Sequence, residues 1–369
     1  MSQEKQDFTS PASFPPLPLP QSVTCTADEG FKNWMSLYGG SLIFSTVESG
    51  KVAFLGWDGR QVTLMMRQFD YPTGIGLTHN QIAIASRRRI TLYANAKLLA
   101  YDYDTTHPGM YDACYLPRAS WYVGEVKPRE ILFDKKGMVF VNTRFSCLAR
   151  PSFQYHFESI WYPPFISDLA PEDRCHLSGA ACVNGNLAYV TALGMSDIPG
   201  GWRENKTTGG ILMDVQAGKT VLHSLCLPHS PRWYRECLWL LNSGAGELWV
   251  VNPRTNETKV VCSLPGFARG LDFWTNYAII GLSQIRKKEK NSPIPLLDKN
   301  QEALCGVAVV NILSGKLEGL FQLTQGCEEI FDLHLLPTVR RAAMLTLDKP
   351  ACHEAITMEN TSWWMRQDN

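Results

Sequence analysis

PHSPRWYRECLWLLNSGAGELWVVNPRTNETKVV, residues 228–261, is a chain of short apolar runs cut by turn formers. Cys237–Leu241 (CLWLL) ends in Asn242, Ser243 and Gly244, and Glu247–Val251 (ELWVV) ends in Asn252 and Pro253. A third run follows the turn residues Arg254, Thr255 and Asn256 and reaches Cys262, while Ser230–Tyr234 supplies a strand ahead of all three. Runs of about five residues bounded by Gly, Asn and Pro are hairpin signatures. Four antiparallel strands in about 40 residues make one blade of a β-propeller.

The same grammar recurs along the chain. Thr46 closes LIFS, Ser86 closes IAIA, Asn142 closes MVFV, Thr191 closes LAYV and Leu282-Ser283 close YAIIG. A polar residue stands ahead of each run, where an inner strand would begin: Asn33, Thr73, Arg129, His176, His229 and Arg269, with Glu329 opening a last copy, EIFDLHLL then AAMLTL. In an antiparallel hairpin the start of the first strand and the end of the second share an edge. If each first strand lines a central channel, these seven residues ring one mouth, with Asn142, Thr191 and Asn242 beside them. Polar residues at strand ends also serve simply to satisfy backbone groups.

The expected architecture is therefore an all-β, single β-propeller of four-stranded antiparallel blades, with seven blades preferred and six as the alternative. Residues 1–19 form a polar, Pro-rich tail, 20–350 the propeller, and 351–369 a C-terminal tail that can take part in ring closure. Gln21–Thr26 can close the ring against the last copy, as an open end blade leaves unpaired strand edges. Blade one holds LIFST, KVAFLGW and QVTLMM; blade two holds IAIAS, ITLYA and LLAYD, with residues 105–123 as a long connection. Insertions at 142–174, 194–210 and 286–304 leave from the predicted ring edge, and loops grouped on one face of a repeat scaffold mark a binding face.

The totals exclude several classes. The 369 residues are 45% hydrophobic and 19% charged, with a formal net charge of +0. That balance carries no footprint for nucleic acid or an anionic membrane. The runs Arg87-Arg88-Arg89 and Arg286-Lys287-Lys288 read as solvated loops. The 11 cysteines are odd in number, lie mostly in apolar strands and form no CxxC pair, which fits buried thiols in a cytoplasmic protein. No signal core and no 18-residue apolar span appears. Walker, dinucleotide-glycine, HExxH and GxSxG signatures are absent.

Chemistry concentrates at the predicted mouth. His176 and His229 hold equivalent anchors in adjacent blades; with Glu329 or Asp332 they could hold one divalent metal ion. His176, His229 and Glu329 are the candidate catalytic residues. Arg129 and Arg269 suit a carboxylate or phosphate, because guanidinium binds oxyanions bidentately. Arg174, Asp173 and His176 adjoin, so the imidazole could act in acid–base chemistry. Cys175 points to the opposite face from His176 and makes no dyad with it. Asn142, Arg174, Trp202, Arg203, Glu204 and Asn242 complete the candidate ligand-binding set, Trp202 and Arg203 through a Gly-flanked loop.

At NTRFSCLA, PPFISDLAPEDRCHLSG, YVTALG, GGWRENK, PHSPRW, LLNSGAGEL, LPGFARGL, GLSQIR, CGVAVV and EEIFD, the chain resembles a family of bacterial conserved hypothetical proteins without a settled activity. The likeness runs from about Asn33 to about Pro337. It implies that Arg174, His176, Trp202, Arg203, Glu204, His229, Arg232, Asn242, Arg269 and Glu329 fall on recurring motifs. It also implies a His-Asp pair in relatives where this chain has Arg129-Glu130, which would cost a metal centre one ligand here. The expected function is a small-molecule-binding propeller for an anionic or polar ligand, extending to metal-assisted hydrolase or lyase chemistry. The alternative is a non-catalytic scaffold that binds a protein or peptide at the long-loop face.

Overall fold

The computed structural model describes residues 22–286, 293–299 and 302–365. The expected tail at 1–19 lies outside them. Among the described residues, six sheets of four or five strands, antiparallel except for one edge pair, and one small hairpin make up the β structure. The chain is thus a six-bladed β-propeller. Blades 3, 4 and 5 are each built from four consecutive strands, with inner strands Pro128–Asp134, Leu177–Val183 and Pro228–Tyr234. Blade 5 is the opening stretch of sequence, and its Glu247–Val251 strand pairs in full register with Cys237–Asn242.

Six blades rather than seven follow from how the ring closes. Asp332–Leu336 is the inner strand of blade 1, antiparallel to Ser41–Thr46, with His334 opposite Ile43. The copy opened by Glu329 is therefore not a seventh blade; it supplies the strand that blade 1 lacks. Asn33 opens no strand: it is exposed on helix α1 (Glu29–Tyr38). The Asp28 side chain caps α1 by accepting from Phe31 N at 2.7 Å, and Gly39 ends it in the left-handed region. Phe31, Trp34, Met35 and Tyr38 bury one face with i, i+3, i+4, i+7 spacing. That face packs on core residues of blades 6 and 1 such as Phe321, Val307, Phe44 and Leu55. A Cβ on Gly30 would lie 1.8 Å from Glu318 O, so only glycine allows the helix this close to blade 6.

Both termini reinforce the closure. Thr24–Ala27 adds a fifth strand to the outer edge of blade 6, against Lys316–Gln325. Ala342–Met344 pairs parallel to Ala113–Tyr115 on the outer edge of blade 2. Blade 2 also corrects the sequence reading: Lys97–Ala100 is a short helix, and the outer strand is Ala113–Tyr122, inside the supposed long connection. Ala355–Thr357 and Ser362–Trp364 form a separate hairpin, and Trp364 packs near Tyr103.

Hydroxyls stitch neighbouring blades at one end of the channel. Ser45 donates to Thr73 O (2.5 Å), Thr143 to Leu177 O (2.8 Å), Ser178 to Pro228 O (2.6 Å), Ser243 to Ala268 O (2.6 Å) and Ser283 to Ile330 O (2.9 Å). Four of the five, all but Ser178, stand at or next to the residue that closes a blade's second strand. The recurrent polar residue there has a structural cause: it satisfies the next blade's backbone.

Deeper in the channel a charged cluster fills the axis. The Glu130 carboxylate is paired with Arg232 and accepts from Ala180 N at 2.9 Å; Arg232 Nε donates to Leu271 O at 2.8 Å. Asp332 accepts from Ile75 N at 2.8 Å. With Arg232 also 3.9 Å from Asp332 Oδ1, these contacts draw one residue from each of the six blades into a single cluster. Gly179 permits the crowding, since a Cβ there would sit 2.5 Å from Pro231 Cδ and 2.7 Å from Glu130 Oε2.

Candidate functional site

Thr73, Arg129, His176, His229, Arg269 and Glu329 all line one cavity of about 440 Å³ at the stitched end of the channel. Each comes from a different blade. The ring expected from the repeats thus assembles, with Asn33 the only member outside it. Below, a gap of about 10 Å³ separates Arg129, His229 and Arg269 from Glu130 and Asp332 of the axial cluster.

The connections that enter the inner strands bend sharply to aim these side chains. Tyr71, Lys127, Asp173, His176, Leu227 and Ser230 all have positive φ, between 49° and 56°. Such conformations in non-glycine residues cost of order 1–3 kcal/mol each and gather where geometry is over-determined. Cys175 turns into the core and is fully buried, while His176 faces the cavity.

Each imidazole has its Nδ1 against an oxygen that can only accept. His176 Nδ1 lies 2.7 Å from Asp173 Oδ1, and His229 Nδ1 lies 2.8 Å from Leu227 O and 3.1 Å from Ser243 Oγ. A carboxylate and a carbonyl can only accept, so Nδ1 carries the proton in each ring and Nε2 presents a lone pair. Burial, then Arg129, pushes His176 down to about 4, against the pull of Asp173. Burial, then Arg269 and Arg129, holds His229 well below its ordinary value. Both rings are neutral near pH 7. Trp202 packs on the His176 ring at 4.3 Å between centroids and carries Arg203 at 4.4 Å.

The cavity is rich in cations. Burial works against the charge of Glu329, yet Arg269 and Arg286 hold its carboxyl below the usual range. Glu329 Oε1 accepts from Arg269 Nη1 at 2.9 Å and Arg286 Nη2 at 2.7 Å. Arg129 has no such partner: its guanidinium lies over Phe331 at 5.1 Å, and burial, then Arg286, lowers its pKa. Arg269 sits between Phe267 (4.9 Å) and Phe331 (5.2 Å), and burial, then Arg286 and Arg129, brings it down to about 9 despite Glu329. Lys127 and Arg144 also line the wall. Leu193, Leu227, Ile285 and Ile294 make an apolar stretch of the lining.

Several lining residues keep buried polar atoms with no hydrogen-bond partner among the described residues: Arg129 Nη1, Arg144 Nε, Arg269 Nε, Trp202 Nε1, Thr73 Oγ1 and His229 Nε2. Buried polar atoms are nearly always satisfied, so six around one cavity call for an occupant.

Other expected ligand residues lie elsewhere. Arg174 bonds Glu172 (2.8 Å), Asp197 (2.7 Å) and Ser167 (3.2 Å) and braces the long loops instead of lining the cavity. Asn142 accepts from Phe145 N at 3.0 Å and Asn242 from Cys226 N at 2.7 Å, both turning corners behind the mouth. Glu204 is exposed on the 201–205 turn and does not line the cavity. Arg286 and Arg87, read as solvated, do line it, Arg286 through its pair with Glu329. Their signal was weak in sequence because the partner carboxylate is 43 residues away for Arg286.

The metal expectation can be set against this donor set. Two imidazole lone pairs are present, but Glu329 is held by guanidiniums, and fixed cations surround the rings. Among the described residues no group of three or more His, Cys, Asp or Glu side chains is placed to hold a metal ion. The residues present do not fit a divalent cation.

The buried imidazole of His176 makes a pH prediction. Unfolded, His176 titrates near its ordinary 6.5; folded, near 4. Between those values the unfolded chain binds a proton that the folded chain does not, so stability falls as pH drops through the window. His229 acts in the same direction. Denaturant titrations should show a loss of about 3 kcal/mol from His176 between pH 7 and 4. The slope should flatten in His176→Gln; an identical slope would refute the assignment.

Fold and site together define a six-bladed β-propeller with a basic cavity at one mouth. The chain belongs to the family described as Domain of unknown function (DUF4915), whose model matches residues 29–345. No curated protein matches it. Among solved structures it is similar to a chain of a Nidogen/Laminin complex at 10% identity, covering 80% of this chain and 97% of that one, with TM-score 0.49. A protein of unknown function from Bacteroides caccae matches at 11% identity, covering 80% and 98%, with TM-score 0.40. The computationally designed Ika8 protein matches at 11% identity, covering 79% and 76%, with TM-score 0.37. Among the described residues no helix is long and apolar enough to cross a membrane.

Proposed function

We propose that this chain is a non-catalytic recognition propeller whose cavity binds the acidic group of a ligand. One observation carries the reading: Arg129, Arg144, Arg269 and Trp202, each with a buried donor that has no partner among the described residues, line a single cavity. Desolvated guanidiniums are strong, geometrically specific partners for oxyanions. The volume lies in the range of small-ligand sites, about 300–1,000 Å³. Eleven free cysteines, most of them buried, support placing this function in the cytoplasm.

Calorimetric titration of the full chain with sulfate, phosphate and acetate at low ionic strength tests it. One-site binding that weakens as neutral salt is added is expected. Absence of binding by all three anions, and by a larger carboxylate such as D-glucuronate as well, would refute it. A second reading has the acidic group carried by a polypeptide. It is favoured by Met195 and Ile198, which are exposed by 51% and 63% in the loop beside Trp202. An acidic peptide that outbinds the free anions, and loses that advantage in Ile198→Asp, would select this reading.

A further inference from the structure

We propose that the acidic ligand is a hydroxylated carboxylate, a hydroxy acid or sugar acid, whose carboxylate meets Arg129 and Arg269 while its hydroxyl protons go to Nε2 of His176 and His229. The inference rests on the anion reading and sharpens it.

The guanidiniums alone do not define the occupant. His229 is 4% exposed, and its Nε2 is buried without a partner. With Nδ1–H given to Leu227 O, that Nε2 can only accept. His176 is 5% exposed and is committed in the same way through Asp173. A bare oxyanion such as sulfate offers no donor and would set its oxygens against two lone pairs. The ligand must therefore bring donors as well as negative charge. An ammonium donor would face Lys127, Arg129, Arg269 and Arg286, all lining the same space. A hydroxyl donates without adding positive charge. The carbon skeleton has its own surface in Leu193, Leu227, Ile285 and Ile294. The aromatic rings do not serve that end: Phe331 faces both guanidiniums, and Trp202 is covered by His176 and Arg203.

Four probes of similar size separate the possibilities on the wild-type full chain: D-glucuronate, cyclohexanecarboxylate, D-glucose and glucose 6-phosphate, each titrated calorimetrically at low salt. Glucuronate should bind at least tenfold more tightly than cyclohexanecarboxylate, and glucose should not bind measurably. In His229→Phe, glucuronate should lose part of its advantage over cyclohexanecarboxylate, the remainder being the share that His176 supplies. Equal affinity of the two carboxylates for the wild type overturns the hydroxyl inference and leaves the anion reading standing. If neither carboxylate nor the phosphate binds, the anion reading itself fails. If glucose 6-phosphate outbinds glucuronate tenfold, the carboxylate assignment is overturned. The wild-type comparison does not depend on how the variant folds.

Discussion

Arg129→Met is expected to raise the stability of the ligand-free protein while removing most of its affinity for anions. The two effects have one cause. Arg129 lines the cavity with Nη1 buried and unpartnered among the described residues, and burial, then Arg286, weighs against its charge while Asp173 and Glu329 favour it without a hydrogen bond. Keeping such a charge out of water is costly unless something negative meets it. Methionine keeps the contact with Phe331 and removes the charge, which should add about 1–2 kcal/mol to unfolding free energy in the absence of ligand. Binding, however, loses charge-assisted hydrogen bonds worth about 1.5–3 kcal/mol, or roughly 10- to 100-fold in Kd. Denaturant melts and calorimetry of the same preparation read both quantities. A variant that is less stable yet still binds anions would show that Arg129 is a packing residue.

Glu329→Gln is expected to do the reverse. Glu329 is 4% exposed and faces two guanidiniums, on Arg269 and Arg286, the first of them mostly buried. Glutamine keeps the shape and removes the charge, leaving two cations uncompensated. Breaking a buried pair in this way costs about 3–5 kcal/mol; with Arg286 a quarter exposed, the lower end applies. The position is sensitive for another reason: Glu329 stands three residues before Asp332, which begins the strand that completes blade 1 and locks the ring. At the same time the freed guanidiniums should bind external anions more tightly. Added sulfate or glucuronate should therefore raise the melting temperature of this variant by more than it raises that of the wild type. Equal stabilisation of the two proteins would place Arg269 and Arg286 outside the ligand's reach.

Much of the fold is legible in the chain because propeller blades are local objects. CLWLL, ELWVV and KVVC write three neighbouring strands of blade 5 in order, and the turn residues between them set their antiparallel pairing. The anchors are legible for the same reason. A residue at the start of an inner strand has a fixed place relative to the hairpin that follows, so Arg129, His176, His229 and Arg269 could be assigned to one mouth before any tertiary contact was known. Helix α1 was legible too, through the Asp28 cap, the Phe31, Trp34, Met35, Tyr38 spacing and Gly39, but a repeat template laid over it turned Asn33 into a strand start.

Blade number and the cavity's chemistry were settled only by closure. Whether Glu329 opens a blade of its own or completes the first depends on the pairing of residues near 334 with those near 43, and nothing in either segment encodes its partner. The same holds for the Glu329 pairs with Arg269 and Arg286, and for the exhaustion of Arg174 on Glu172 and Asp197. Sequence alone determined which side chains stand at blade edges, because strand periodicity is set by bonds between near neighbours. Tertiary structure decided which of them are paired and which stay open to a ligand, because burial and charge pairing depend on distances that only the closed ring sets.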